Sequence, residues 1–176
     1  MRSVQAQLRA RMLEKDSLLR YVDPDQAHLT LAFLGATQPE RVESIGDGLA
    51  TVATGREPIP LAAGGFGAFP EPRSPRVLWI GLEGALAALL DIHARVGAAL
   101  VPLGYVPDSR PFAAHITLAR VRESASVPER RAIGIAFGAI WGPTVPCPIE
   151  RIALYRSDLE RGSPVYTPLR TVTLDG

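Results

Sequence analysis

Two short stretches carry the residue types that could do chemistry, and most of one repeats the other. The first is His28-Leu29-Thr30-Leu31-Ala32-Phe33-Leu34-Gly35; the second is His115-Ile116-Thr117-Leu118-Ala119, running on into Arg120-Val121. Histidine titrates near neutrality, so two imidazoles can serve as base and acid in one reaction. A neutral ring takes a proton from an attacking water while a protonated one gives a proton to the leaving oxygen. Threonine hydroxyls two residues after each histidine can donate to anionic oxygens between the rings. Phosphoryl chemistry matches this set, because nucleophile and leaving group lie on opposite sides of phosphorus and its other oxygens need donors. The scheme requires no metal, and no cofactor is expected.

Each stretch is rich in β-branched and large apolar residues and reads as a buried strand. Alternate side chains of a strand point to opposite faces. His28 and Thr30 then share one face and Leu29 and Leu31 the other, and His115 and Thr117 repeat the arrangement. One site built from two similar halves is expected.

The elements that must position these residues follow from pattern. Residues 3–19 read as a helix, with Val4, Leu8, Met12 and Leu19 on one stripe. Asp23-Pro24-Asp25-Gln26 is a turn into the first motif, and Gly35 ends that strand. Thr37 is a candidate N-cap, with Glu40 three residues on, for a helix running to about Ala53. Residues 58–69, with Gly64-Gly65 and Gly67, suggest a bent or bulged strand, and residues 76–82 another strand. Residues 85–100 form the clearest helix, with Leu86, Leu89, Leu90, Val96 and Leu100 on one face and Gly104 as terminator. A short helix is expected over 127–137. Residues 149–156 and 165–174 read as a hairpin with its turn at 157–164. This mixed order predicts an α+β protein, a single bilobal domain over residues 1–176 with two pseudo-symmetric lobes.

At 176 residues, 47% hydrophobic and 21% charged, the chain is that of an ordinary globular protein able to bury a core. No uninterrupted apolar run reaches the roughly 18 residues of a membrane span, and the N-terminus lacks the apolar core of a signal peptide. A cytoplasmic location and no membrane partner are expected. Cys147 is the only cysteine, which excludes an intrachain disulfide and a cysteine-rich zinc site. A net charge of +1 argues against a strongly basic, nonspecific nucleic-acid coat.

The paired His-x-Thr-Leu elements resemble the signature of the two-histidine (2H) phosphoesterases, and within them the RNA 2',3'-cyclic phosphodiesterases, also called 2'-5' RNA ligases. The flanks agree: Phe33-Leu34-Gly35, Gly67-Ala68-Phe69-Pro70, Pro75-Arg76-Val77-Leu78-Trp79, Arg110-Pro111-Phe112 and Leu154-Tyr155-Arg156-Ser157. The similarity covers nearly the whole chain from about residue 4. It implies antiparallel sheets with helices packed outside and both motifs lining a central cleft. It also implies hydrolysis of a 2',3'-cyclic phosphate at an RNA end to a 2'-phosphomonoester, without a metal. By the resemblance, His28 is the proton donor, His115 the proton acceptor, and Thr30 and Thr117 hold the non-bridging oxygens. Partners so implied are RNA with a cyclic phosphate end or a small cyclic nucleotide, met by a monomer. Members of the family open with a short apolar strand before the first helix. This sequence begins almost inside that helix: either its start lies further upstream or the strand is absent, and only in the second case is one lobe expected to carry an unpaired sheet edge.

Arg120 and Arg156 are candidate phosphate contacts, with surface solvation an equally good reading. His93, on the apolar stripe of the 85–100 helix with no threonine two residues on, reads as structural. No ligand spacing supports a zinc site. Arg130-Arg131 reads as an exposed helix face, and Gly64-Gly65 as backbone geometry. Rival functions are ligation or phosphodiester hydrolysis on another small cyclic nucleotide, and a non-catalytic RNA-end or nucleotide-binding module.

Overall fold

A computed structural model describes residues 1–140, 144–160 and 163–176, with backbone alone at 159, 160 and 163. In chain order the elements are α1 (Arg2–Met12), β1 (Leu19–Tyr21), α2 (Arg41–Ala53), β2 (Leu61–Phe69), β3 (Val77–Gly84), α3 (Leu86–Leu100), β4 (His115–Val121), α4 (Val127–Gly138), β5 (Val145–Pro146), β6 (Arg151–Glu160) and β7 (Ser163–Thr173). Short 3-10 turns cover Leu13–Leu18, Pro24–Gln26 and Val101–Leu103. The chain divides into two interleaved units. The first takes Met1–Leu29, Ala63–Glu83 and Ala114–Val145; the second takes Thr30–Ala62, Gly84–Ala113 and Pro146–Gly176. The α+β class with antiparallel sheets is as expected, but the units are not the two halves of the sequence.

The first unit is built on a five-stranded sheet in the order β1-β4-β3-β2-β5. Along β3 the residues alternate cleanly: Leu78, Ile80 and Leu82 are buried, while Val77, Trp79 and Gly81 lie on the other face and are only half-buried. Helices α1 and α4 pack on each other and add Val4, Leu8, Met12, Ile133 and Phe137 to the core. Gln5, buried among them, donates from Nε2 to the carbonyls of Val22 (2.7 Å) and Leu118 (3.2 Å). It thus ties α1 to the place where the β1 segment leaves β4, and its own amide is satisfied. The two edge strands span three and two residues. Such short edges limit strand-to-strand association.

The second unit packs α2 against α3 and against the β6–β7 hairpin. Ile45, Leu49 and Val52 from α2 and Leu89, Ile92, Val96 and Leu100 from α3 form its core. Asp91, on the outer side of α3, pairs with Arg95 (2.9 Å) and Arg56 (2.8 Å). Those two guanidiniums, Arg95 first, hold its carboxyl below the usual range.

Several expectations need correction. The first helix ends at Met12, because Leu13 takes a positive φ (48°) that a right-handed helix cannot continue through. The following 3-10 turn brings Asp16 to Arg9 (3.3 Å) and to the Tyr21 hydroxyl (2.6 Å). Burial, then the Asp16 hydrogen bond, raise the Tyr21 pKa. Thr37 does not cap α2; its Oγ1 accepts from the Tyr105 hydroxyl at 3.2 Å, and α2 begins after a Pro39-Glu40 turn. On α3 the buried stripe is Leu89, Ile92, Val96 and Leu100, whereas Leu86 and Leu90 are exposed. The strands of the hairpin run on through much of the expected turn; residues 161 and 162 of that turn lie outside the described residues. Leu86–Leu103, at a mean hydropathy of 1.5, is long and apolar enough to cross a membrane by length and composition, although Asp91, His93 and Arg95 interrupt its apolar run. Packing of its apolar stripe on α2, with a charged pair on the outer side, accounts for that composition.

The first His-x-Thr stretch is not a buried strand. It contributes one isolated antiparallel bridge, Leu29 to Ile116, and both Leu29 and Leu31 are only half-buried. The reason lies just upstream. Residues 19–22 run antiparallel along β4, with Leu19, Arg20 and Tyr21 opposite Val121, Arg120 and Ala119 and the Val22 N–H bonded to the Leu118 carbonyl. The Pro24–Gln26 turn, capped by the Asp23 carboxylate on the Asp25 N–H, loops the chain off this edge. It returns for a single pair.

Candidate active site

Both histidines belong to the first unit. In an antiparallel pair the register decreases on one strand as it rises on the other. The bridge of Leu29 to Ile116 therefore carries His28 to a position beside Thr117, next to the sheet edge. On the other side of β4, Trp79 faces Thr117, Ile80 faces Ile116 and Gly81 faces His115. Ile80 and Ile116 are buried, so His115, Thr117, Trp79 and Gly81 share the outer face of the sheet.

The His28 ring is oriented by its own backbone. Nδ1 lies 2.8 Å from the Gln26 carbonyl oxygen. A carbonyl only accepts, so Nδ1 carries a hydrogen in either protonation state, and Nε2 is left as the nitrogen that gains or loses the proton.

The His115 ring stands beside an aromatic wall. Phe69 lies edge-to-face with it at 5.0 Å between centroids, and Trp79 lies at 5.9 Å; Phe69 and Trp79 are 5.2 Å apart. Trp79 lies across β2 where Gly67 has no side chain: a Cβ there would sit 2.2 Å from the indole. Gly81 likewise approaches the Gly64 carbonyl, with 3.0 Å to an added Cβ. The indole Nε1–H of Trp79 is buried with no hydrogen-bond partner among the described residues. In the sequence Phe69 and Trp79 stand only as flanks of the resemblance; the alternation of Trp79 with Leu78 and Ile80, and the glycines at 64, 65 and 67, were the available signal.

Arg120 joins the same face through an irregularity. Regular alternation from His115 would send it to the buried side. The ladder slips between Leu78 and Trp79, which pair with Ala119 and Thr117 and so pass over Leu118. This bulge restores Arg120, opposite Val77, to the outer face. Arg120 is exposed, and Arg20 stands directly across from it on β1.

Thr30 is exposed and opens the second unit's share of the chain. Arg156, on β6 of the second unit, is exposed and pairs with Asp158 at 2.7 Å. His93 stacks on Phe112 at 4.0 Å between centroids, the structural part expected of it. Cys147 is a half-buried free thiol whose pKa is pushed up by burial. Among the described residues no three His, Cys, Asp or Glu side chains cluster as a metal site.

An antiparallel α+β fold with two His-x-Thr elements meeting on one strand defines a two-histidine phosphoesterase. The chain belongs to the LigT-like phosphoesterase family, which matches it twice, over residues 2–79 and 80–166. One match spans each motif. Among its relatives, an RNA 2',3'-cyclic phosphodiesterase of Aeropyrum pernix is 31% identical over 95% of this chain and 93% of the relative. Another RNA 2',3'-cyclic phosphodiesterase, of Thermus thermophilus, is 35% identical over 88% of this chain and 75% of its own. A crystal structure of a Thermus thermophilus protein superposes with a TM-score of 0.75 at 28% identity, over 99% of this chain and 93% of that one. Escherichia coli LigT complexed with 3'-AMP gives 0.71 at 24% identity, over 99% and 92%, and so shares the fold.

Proposed function

We propose that this protein is an RNA 2',3'-cyclic phosphodiesterase that opens the cyclic phosphate by two-histidine acid/base catalysis. Membership of the phosphoesterase family and relatives of that activity over most of the chain support the reaction class. The observation that carries the mechanism is the Leu29–Ile116 bridge, which brings the two motifs against each other in antiparallel register.

His115 takes a proton from water as the water oxygen attacks phosphorus. The bond from phosphorus to the 3' oxygen breaks, and His28 gives its Nε2 proton to that oxygen. The product is a 2'-phosphomonoester with a free 3' hydroxyl. The assignment of acid and base follows the family. The carbonyl behind His28 supports it only so far as it leaves Nε2 as the exchangeable site. Thr117 and Thr30 donate to the non-bridging oxygens as their charge grows. Arg120, on the His115 face, adds a cationic contact to phosphate.

The test is turnover of a short RNA ending in a 2',3'-cyclic phosphate, with the product's phosphate located by a 2'- or 3'-specific digest. A 3'-phosphate product, or no turnover by a folded protein, would overturn this reading. Ligation is the same ring opening with a 5'-hydroxyl in place of water: its oxygen attacks phosphorus, the 3' oxygen leaves as the hydroxyl, and a 2'-5' phosphodiester forms, so an added 5'-hydroxyl strand in the same assay measures it.

A further inference from the structure

Packing on α2 uses one face of α3, the stripe of Leu89, Ile92, Val96 and Leu100. A second apolar line runs along the same helix: Leu86, Leu90, Ala94 and Gly97, continued by Val101 at the C-cap. At 3.6 residues per turn these positions fall within about 80°, centred about 115° round the helix from the buried stripe. Leu86, Leu90 and Val101 are 38%, 50% and 52% exposed, and Ala94 is exposed with them. Single exposed leucines are ordinary on a protein surface. A line at spacings of three and four is the pattern of a helix-packing seam.

The line is self-complementary on reversal. Turning α3 end for end about the midpoint of residues 93 and 94 sets Leu86 on Val101 and Leu90 on Gly97. Gly97 is the socket such a leucine needs, because a Cβ added there meets nothing within 4 Å. The flank is self-complementary too. Asp91 and Arg95 border the line on one side, and in an antiparallel pair related by a two-fold axis each flank meets its own copy, carboxylate opposite guanidinium. Arg95 uses only its Nε within the chain, 3.1 and 2.9 Å from the two Asp91 oxygens, and its terminal NH2 groups make no hydrogen bond among the described residues. A parallel pair would set this flank against the other side of the line, where α3 has no carboxylate or guanidinium.

We propose that the outer line of α3 is the interface of a two-fold homodimer, packed antiparallel on the same line of a second copy. The resemblance implied a monomer; this inference replaces that expectation and does not depend on the reaction catalysed. The seam is about 22 Å long, at the small end of protein interfaces, so the dimer exchanges with monomer rather than being permanent. A lipid surface is the poorer match: helices that lie on membranes carry a basic polar face, whereas one acid and one base stand beside this line.

Sedimentation velocity over about 1–500 µM protein is expected to show a concentration-dependent dimer. Leu90→Glu should raise its dissociation constant more than about a hundredfold, because each substitution acts twice across the two-fold axis. Gly97→Gln should do the same by filling the socket. It should not lower Tm at the most dilute point, where both proteins are monomeric, because the site has room and Gln is the better helix former. Asp91→Arg and Arg95→Asp are each expected to stay monomeric alone and to form a dimer when mixed. Thermal melting confirms that each variant is folded. A parent that stays monomeric, a dimer that survives Leu90→Glu and Gly97→Gln, or a mixture of the two charge variants that stays monomeric would overturn the interface. So would a monomeric parent that sediments with phosphatidylglycerol vesicles and loses that binding on Leu90→Glu, which assigns the line to a lipid surface instead.

Discussion

Leu29 and Ile116, the second residues of the two His-x-Thr motifs, face each other across an antiparallel bridge. The repeat is therefore not two remote copies but two segments in contact, with His28 brought beside Thr117. On the proposed mechanism each motif supplies one proton-transfer group and one hydroxyl donor.

Replacing either imidazole should remove a proton transfer and little else. His28→Ala and His115→Ala are each expected to lower kcat by about 10²–10⁴, with the Kd for adenosine 2'-phosphate changed far less. Single-turnover hydrolysis of a cyclic-phosphate RNA end and calorimetry read the two effects separately. Wild-type-like turnover from either variant would end the two-histidine mechanism.

The hydroxyls act on charge that develops in the transition state. Thr117→Val and Thr30→Val keep shape and strand propensity, and each should cost about 10²–10³ in kcat by analogy with loss of one oxyanion donor. KM should move little. If both folded variants match the parent, the threonines are ordinary backbone positions.

Two imidazoles can carry both proton transfers, so turnover should persist in excess EDTA. The pH dependence of kcat/KM should be bell-shaped, its limbs belonging to the pair. Loss of activity on chelation, restored by zinc or manganese, contradicts the scheme.

Gly67 leaves the room in which Trp79 lies beside His115. Gly67→Ala puts a methyl group 2.2 Å from the indole and should destabilise the fold by about 1–3 kcal/mol through overpacking. Displacing the wall should also lower kcat in the fraction that remains folded. Chemical denaturation and turnover at a temperature well below the melt measure both.

At the start of α4, Ser126 Oγ and N–H both donate to the Glu129 carboxylate, at 2.6 and 2.7 Å, and the Glu129 N–H returns to Ser126 Oγ. The Ser126 contacts, hydroxyl first, hold the Glu129 pKa below its usual value. A carboxyl depressed in the folded state stabilises above the unfolded-state pKa and loses that contribution as pH falls through the folded one. Ser126→Ala should lower Tm by about 2–4 °C at pH 7, and the gap to the parent should narrow as the pH drops below about 4. A gap independent of pH would show that the carboxylate contributes nothing to the cap.

What the sequence determined by itself was local: the duplicated motif, most element positions, and the alternation that separates Leu78 and Ile80 from Val77 and Trp79. Each depends on neighbours within a few residues, where periodicity and side-chain type act directly. His93 could be set aside on the same grounds, and its stacking on Phe112 bears that out. The tertiary structure decided what depends on partners distant in sequence. Whether His28-Leu29-Thr30 forms a strand turns on how far β4 can pair with it after the Pro24–Gln26 turn lifts the chain away, and one bridge is all that remains. Which face Arg120 takes turns on the slip opposite Leu78 and Trp79; a one-residue change in register reverses every side chain beyond it, and no property of Arg120's own neighbours in sequence records that reversal.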